Sequence, residues 1–172
     1  ISKLIQKDMI DEFIIYVNKN CYFINSIINP SIYETNNFFL QNERNKLIEY
    51  AAFFGSIQIF NYLKANGADL DSTLWIYAVH GQNEEIVHFL EENKIIPSDF
   101  EQIYMESIKC HHTDFTNYIQ NNYLQNEKEY SNDTLIDYLK YYNFMFMKFD
   151  IKNENLLYYL CKYDYYILVS NL

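Results

Sequence analysis

Between Leu47 and Asn93 the apolar and polar positions of the chain recur at a fixed interval. Leu47-Ile48-Glu49-Tyr50-Ala51 returns as Leu74-Trp75-Ile76-Tyr77-Ala78, 27 residues on (47 to 74). Ile59-Phe60-Asn61-Tyr62-Leu63 returns as Ile86-Val87-His88-Phe89-Leu90, and Asn66 as Asn93, with no gap. Within one copy, Leu47, Ile48, Ala51 and Ala52 form the apolar face of a short helix, with two small residues that permit close approach. Gly55 breaks it. Ile59, Phe60 and Leu63 are the buried stripe of a second, antiparallel helix, and Asn66-Gly67 ends that helix with a residue free to adopt φ > 0. A period of this size marks a stacked repeat, in which each pair of helices buries its apolar face against its neighbours.

Weaker copies flank these two. Glu106 to Phe115 lines up with Tyr77 to Ile86, with Ile119 matching Leu90. Tyr138-Leu139-Lys140-Tyr141-Tyr142-Asn143, with Phe146 and Met147, repeats the pattern again. Tyr159 to Asp164, then Leu168, Val169 and Leu172, opens another unit and stops inside its second helix. Ile10, Phe13, Ile14 and Val17 read as a second helix whose first helix is missing. The predicted organisation is one array over 1–172: a partial repeat at 1–17, an insertion loop with little regular structure at 18–45, repeats at 46–72, 73–98, 99–128 and 129–152, and a truncated repeat at 153–172. Neither end supplies a polar cap, and the chain opens on Ile1, so it reads as a fragment of a longer array.

The run from Asn45 to Gly55, with Ala51-Ala52 before Gly55, then Ile59-Phe60, Leu63 and Gly67-Ala68-Asp69, resembles the ankyrin repeat, whose pattern reads G-T-P-L-H-x-A-A-x-x-G, V-V, L-L, G-A-D. The T-P-L-H part is degenerate here, with Lys46, Leu47, Ile48 and Glu49 in its place, and the spacing is shorter than the family's usual period. The style is similar to divergent short-repeat ankyrin proteins expanded in AT-rich protist genomes. The resemblance implies an all-α solenoid of antiparallel helix pairs joined by short hairpin loops. It also implies a concave partner surface made by the exposed side of the first helices. Carried over position by position, that surface comprises Tyr50, Phe53 and Phe54, then Tyr77 and His80, then Glu106 and Lys109. The competing reading packs Phe53 and Phe54 between repeats or under the 18–45 insertion.

Composition narrows the function classes. Nearly half the residues are apolar (49%) and 19% are aromatic, which excludes a disordered chain. Gly 3 and Pro 2 disfavour a turn-rich β-sandwich or a glycine-loop nucleotide fold. A net charge of −10 argues against binding a phosphate backbone, so no nucleic-acid partner is expected. No apolar run approaches the ~20 residues that cross a bilayer. Three cysteines, Cys21, Cys110 and Cys161, without paired spacing suit reduced thiols in an intracellular, cytoplasmic setting.

Candidate chemistry is sparse. Cys110-His111-His112 offers metal-ligand types, but successive helical residues point about 100° apart; His111 takes the Gly55 position, so a turn is the plainer reading and no metal is expected. Cys161 falls in the slot of Ala52, a small buried position, and no motif sets a base beside it. Glu84-Glu85 suit the positive end of a helix and Glu91-Glu92 a solvated face. The sequence therefore implies a non-catalytic intracellular scaffold that binds a protein partner. No cofactor, small-molecule substrate or membrane insertion is expected. The alternative is the regulatory or targeting part of an enzyme whose catalytic domain lies elsewhere.

Overall fold

The apolar stripes become short helices in the computed structural model, which describes residues 1–29, 36, 38–39, 44–124, 132–147 and 154–170, without the side chains of 132–134 and 154. The chain divides into two compact units, Ile1–Ser98 and Asp99–Leu172. In the first, α1 (Ser2–Gln6) pairs with α2 (Ile10–Lys19), α3 (Leu47–Phe53) with α4 (Ile57–Ala65), and α5 (Leu74–His80) with α6 (Glu84–Glu92). Two short strands, β1 (Ile27–Ile28) and β2 (Asn45–Lys46), run antiparallel, with Ile27 opposite Lys46 and Ile28 opposite Asn45. The second unit holds α7 (Phe100–Lys109) with α8 (Thr113–Tyr123), then α9 (Asn132–Lys140), then α10 (Glu154–Lys162) with α11 (Tyr166–Val169).

First helices stack on first helices. In the first unit α1 lies against α3 and α3 against α5; in the second, α7 lies against α9 and α9 against α10. The spacing of apolar residues dictates which sides meet. Leu47, Ile48, Ala51 and Ala52 of α3 are buried, as are Leu74, Trp75, Ala78 and Val79 of α5. Ile103, Tyr104 and Ile108 of α7 and Leu135, Tyr138 and Leu139 of α9 do the same in the second unit. Two buried polar tips are satisfied there: the Tyr104 and Tyr138 hydroxyls pair at 2.8 Å. In the first unit the Trp75 indole donates to the Ile95 carbonyl at 2.6 Å.

Among the described residues the same turn follows six first helices. Asp8, Gly55, Gln82, His111, Tyr142 and Asp164 each sit two residues past the end of a first helix, with φ between +49° and +63°. In every case the next residue donates its N–H back into the helix: Met9 to Leu4, Ser56 to Ala51, Asn83 to Ala78, His112 to Ser107, Asn143 to Tyr138 and Tyr165 to Leu160, at 2.8–3.2 Å. These paired bonds satisfy the orphan carbonyls at a helix end and reverse the chain into the second helix. Glycine meets this φ without a Cβ penalty, yet only Gly55 of the six is glycine.

After three of these turns the next residue ties its pair to the one before it. Ser56 Oγ donates to the Ile5 carbonyl, Asn143 Nδ2 to Ile108 O at 2.9 Å, and the Tyr165 hydroxyl to Leu139 O at 2.6 Å. Each acceptor is the last but one residue of the preceding first helix. Asp8 adds a further tie, accepting the Gln58 and Ile59 N–H groups at 3.0 Å and so capping α4.

One expectation changes. The first pair has a first helix, α1, with Ile5 buried. In the 18–45 stretch beyond α2, the described residues carry β1, the first residue of β2 and two helical residues, Phe38 and Phe39; residues 30–35, 37 and 40–43 lie outside the described residues. After Tyr142 the chain stays irregular, with a turn at Met145 and Phe146, and 148–153 lie outside the described residues. Residues 125–131 and Leu172 do as well. No helix among the described residues is long and apolar enough to cross a membrane.

Candidate functional site

The residues expected to line a partner surface fall into two groups with different surroundings. In the first unit, Tyr50, Phe53 and Phe54 on and just beyond α3, and Tyr77 and His80 on α5, form one aromatic cluster. Helix packing explains their alignment. Tyr50 and Tyr77, and likewise Phe53 and His80, hold the same repeat position on two stacked helices. Phe53 and His80 accordingly stack at 5.0 Å with their planes 30° apart.

This cluster is not an open strip. Tyr50 and Tyr77 are buried, with 4% and 7% of their surface exposed, and Phe53, Phe54 and His80 are half-buried. The cover comes from Phe38 and Phe39, inside the 18–45 insertion that the competing reading laid over Phe53 and Phe54. Phe39 is fully buried, 4.5 Å from Tyr50, 4.4 Å from Phe53 and 5.8 Å from Phe54. Phe38 reaches across both helices: 5.4 Å from Phe53, 5.1 Å and edge-on to Tyr77, and 4.2 Å from His80. Tyr50 and Tyr77 as solvent-facing anchors are thus corrected. Rings this large gain more by burial against other rings than by facing water, and an aromatic pair was at hand. The signal was present in the sequence as an apolar island, Phe38-Phe39-Leu40, between Asn36-Asn37 and Gln41-Asn42.

Polar groups fix the base of the same face. Glu49 is buried and accepts the Lys46 N–H at 2.7 Å and the Thr73 hydroxyl at 2.9 Å. Lys46 Nζ meets Asp71 at 2.9 Å. That hydrogen bond holds the Lys46 ammonium above its usual range despite lost solvation. Burial works against the Asp71 carboxylate, but hydrogen bonds from Thr73 and Lys46 outweigh it and hold its pKa below the usual value. The Tyr77 hydroxyl donates to Asn45 Oδ1 at 2.7 Å, and burial, with Glu49 and Asp71 adding negative charge, pushes its pKa up. Tyr77 is thereby a neutral donor locked to β2.

In the second unit the same repeat position carries charge. Glu106 and Lys109 pair at 3.4 Å on α7, both half-buried. Lys109 Nζ also lies 5.7 Å from the Tyr141 ring centre, and Lys140, its counterpart on α9, lies 5.2 Å from the same ring. Burial opposes the charge on Lys109, yet Glu106, Asp137 and Tyr141 together hold its pKa up.

The remaining candidates occupy structural positions. Cys110, His111 and His112 are the helix cap, the φ-positive turn residue and the residue before α8, in that order. Burial, reinforced by Glu106 and opposed by Lys109, pushes the Cys110 thiol up to about 12, far from a reactive thiolate. Cys161 departs from expectation. It shares the repeat position of the buried Ala52, Val79, Ile108 and Leu139 but is exposed. Leu156 and Leu160 take the packed side of α10, leaving Leu157, Tyr158 and Cys161 toward solvent. Asn83 caps α6 through its side chain, accepting from the Ile86 N–H at 2.9 Å, with Glu84 and Glu85 in the first turn as expected.

Comparison of the chain with family models, with curated proteins and with solved structures finds no match.

Proposed function

We propose that this chain is a non-catalytic intracellular interaction scaffold of divergent ankyrin type, which holds a protein partner on the outward side of its first helices. The observation that carries the reading is the turn shared by six first helices, with its φ-positive residue and its back-bonded N–H. A repeated fixed turn gives every pair the same geometry while leaving the outward positions free to vary, and they do vary: Tyr50/Phe53, Tyr77/His80 and Glu106/Lys109 occupy equivalent places. Variable side chains on a regular frame suit recognition better than a single chemistry. The aromatic members are of the type enriched at interface hot spots.

The test is capture from a cell lysate with the full chain and two variants, one Phe53→Ser with His80→Ser, the other Glu106→Lys with Lys109→Glu. Circular dichroism establishes that each variant keeps its helices. The reading expects a protein held by the wild type and lost, or weakened about tenfold or more as for a hot-spot pair, in at least one folded variant. An identical captured set in all three overturns it.

A further inference from the structure

We infer that the face built by Tyr50, Phe53, Phe54, Tyr77 and His80 is a receptor for a short segment carrying two adjacent aromatic side chains, and that Phe38-Phe39 is the resident occupant such a segment displaces. The inference deepens the scaffold reading and rests on it. It names the class of partner for the first-unit face.

The geometry of the occupant is the ground. Phe38 and Phe39 are consecutive, with their rings edge-on at 5.7 Å, and they divide the face between them. Phe39 inserts among three aromatic side chains belonging to one helix and the residue after it, Tyr50, Phe53 and Phe54. Phe38 bridges from Phe53 to Tyr77 and His80 on the next helix. Two neighbouring side chains therefore contact two successive first helices. Recognition is ring against ring, in stacked and edge-on pairs each worth about 0.5–1.5 kcal/mol beyond area burial. That chemistry selects aromatic pairs from any source and is indifferent to which chain supplies them.

Connectivity separates this pair from the rest of the fold. The link from α4 to α5 runs over 66–73 and that from α6 to α7 over 93–99, whereas the stretch from α2 to α3 runs from Asn20 to Lys46 and supplies the two phenylalanines. An occupant tethered in the same chain competes at a high local concentration. A partner must exceed it, so the resident pair sets a threshold for binding and rejects segments with a single aromatic ring. The face keeps Phe53, Phe54 and His80 half-exposed beside the occupant, which gives an incoming ring a first point of contact.

The experiment uses the full chain and a fluorescein-labelled peptide of its own residues 34–41, with a control peptide in which both phenylalanines are alanine. Anisotropy is recorded for the wild type and for the Phe38→Ala, Phe39→Ala double variant. The double variant is expected to bind the Phe-Phe peptide at least about tenfold more tightly than the wild type, as loss of a tethered competitor requires, and neither protein to bind the control. A folded double variant that ignores the peptide, or binds both peptides alike, overturns the inference. Should circular dichroism show the variant unfolded, the wild type alone decides. The Phe38 N–H, donated to Asn36 Oδ1 at 2.9 Å, exchanges faster with excess Phe-Phe peptide and not with the control if the pair is displaced. Unchanged exchange with both peptides overturns the inference. A lysate partner that depends on Glu106 and Lys109, found together with no peptide binding, removes this inference and leaves the scaffold reading standing.

Discussion

The two units answer the same surface problem in opposite ways. On α3 and α5 the outward positions are Tyr50 with Phe53 and Tyr77 with His80; on α7 they are Glu106 with Lys109. The aromatic version needs a cover and takes one from Phe38 and Phe39. The charged version pairs at i, i+3 along its own helix at the edge of water, with the Tyr141 ring 5.7 Å from Lys109 Nζ. A residue's place in the repeat thus fixes where it points, and its chemistry decides whether it stays there exposed or recruits something to bury it.

The comparison predicts an unequal cost of truncation. Phe39→Ala removes a fully buried ring and should lower stability by about 3–5 kcal/mol, as aromatic-to-alanine changes in a core do. Glu106→Ala or Lys109→Ala should cost only about 0.2–1 kcal/mol, the range for partly exposed ion pairs. Urea denaturation of the three variants measures both, and equal costs would break the comparison.

The next effect in size concerns the close approach of α3 and α5. A Cβ on Gly81 would lie 2.4 Å from the Ala52 carbonyl oxygen and 2.7 Å from that of Phe53. Gly81→Ala should therefore destabilise by about 1–3 kcal/mol through overpacking. In the second unit the matching residue is Cys110, which carries a side chain there. Helix spacing is therefore set pair by pair, and Cys110→Gly should relieve no clash; thermal unfolding of the two variants separates the cases.

Smaller again is the tie between pairs. Asn143→Ala removes the donor to Ile108 O and should cost about 0.5–1.5 kcal/mol, the net value of a typical hydrogen bond. The turn itself offers a gain. Tyr142 holds φ near +58°, so Tyr142→Gly should stabilise by about 0.5–1 kcal/mol, the relief of a left-handed residue less the entropy of glycine. A loss on that change would mean that Tyr142 contributes through its edge-on contact with Tyr165, 5.8 Å away, more than its backbone costs.

The cysteines provide the smallest perturbation. Iodoacetamide at pH 8 should label Cys21 and Cys161, which are exposed, and leave Cys110 intact in the folded chain. With its pKa raised to about 12, Cys110 holds a negligible thiolate fraction until strongly alkaline pH. Peptide mapping after native labelling checks this, and early modification of Cys110 would mean that α7 opens locally.

Much of the frame was legible in the sequence. The paired helices of residues 47–92, the buried Ala51 and Ala78, and the turns at Gly55 and His111 follow from spacing alone, because a helix places every third or fourth residue on one side. What spacing cannot report is what arrives from elsewhere in the chain. The insertion was one of the two covers the sequence offered for Phe53 and Phe54, but Phe38 and Phe39 share no period with the repeats, so which of its residues reach Tyr50 and His80 could not be read from spacing, and Tyr50 and Tyr77 read as exposed. Cys161 failed for the opposite reason: its repeat position predicted burial, and burial also requires a neighbour on that side. The helix α1 was missed because Ser2–Gln6 is too short to show a periodic stripe.

The most direct test is residue-resolved amide exchange on the wild type and on the Phe38→Ala, Phe39→Ala variant, at a temperature where both are folded. If the first-unit face depends on its aromatic cover, protection falls about tenfold or more along α3 and α5, the equivalent of roughly 1.4 kcal/mol or more in local opening, while α9 keeps its own. Unchanged protection along α3 and α5 would contradict the account, because the pair would then be ornament on a face already complete.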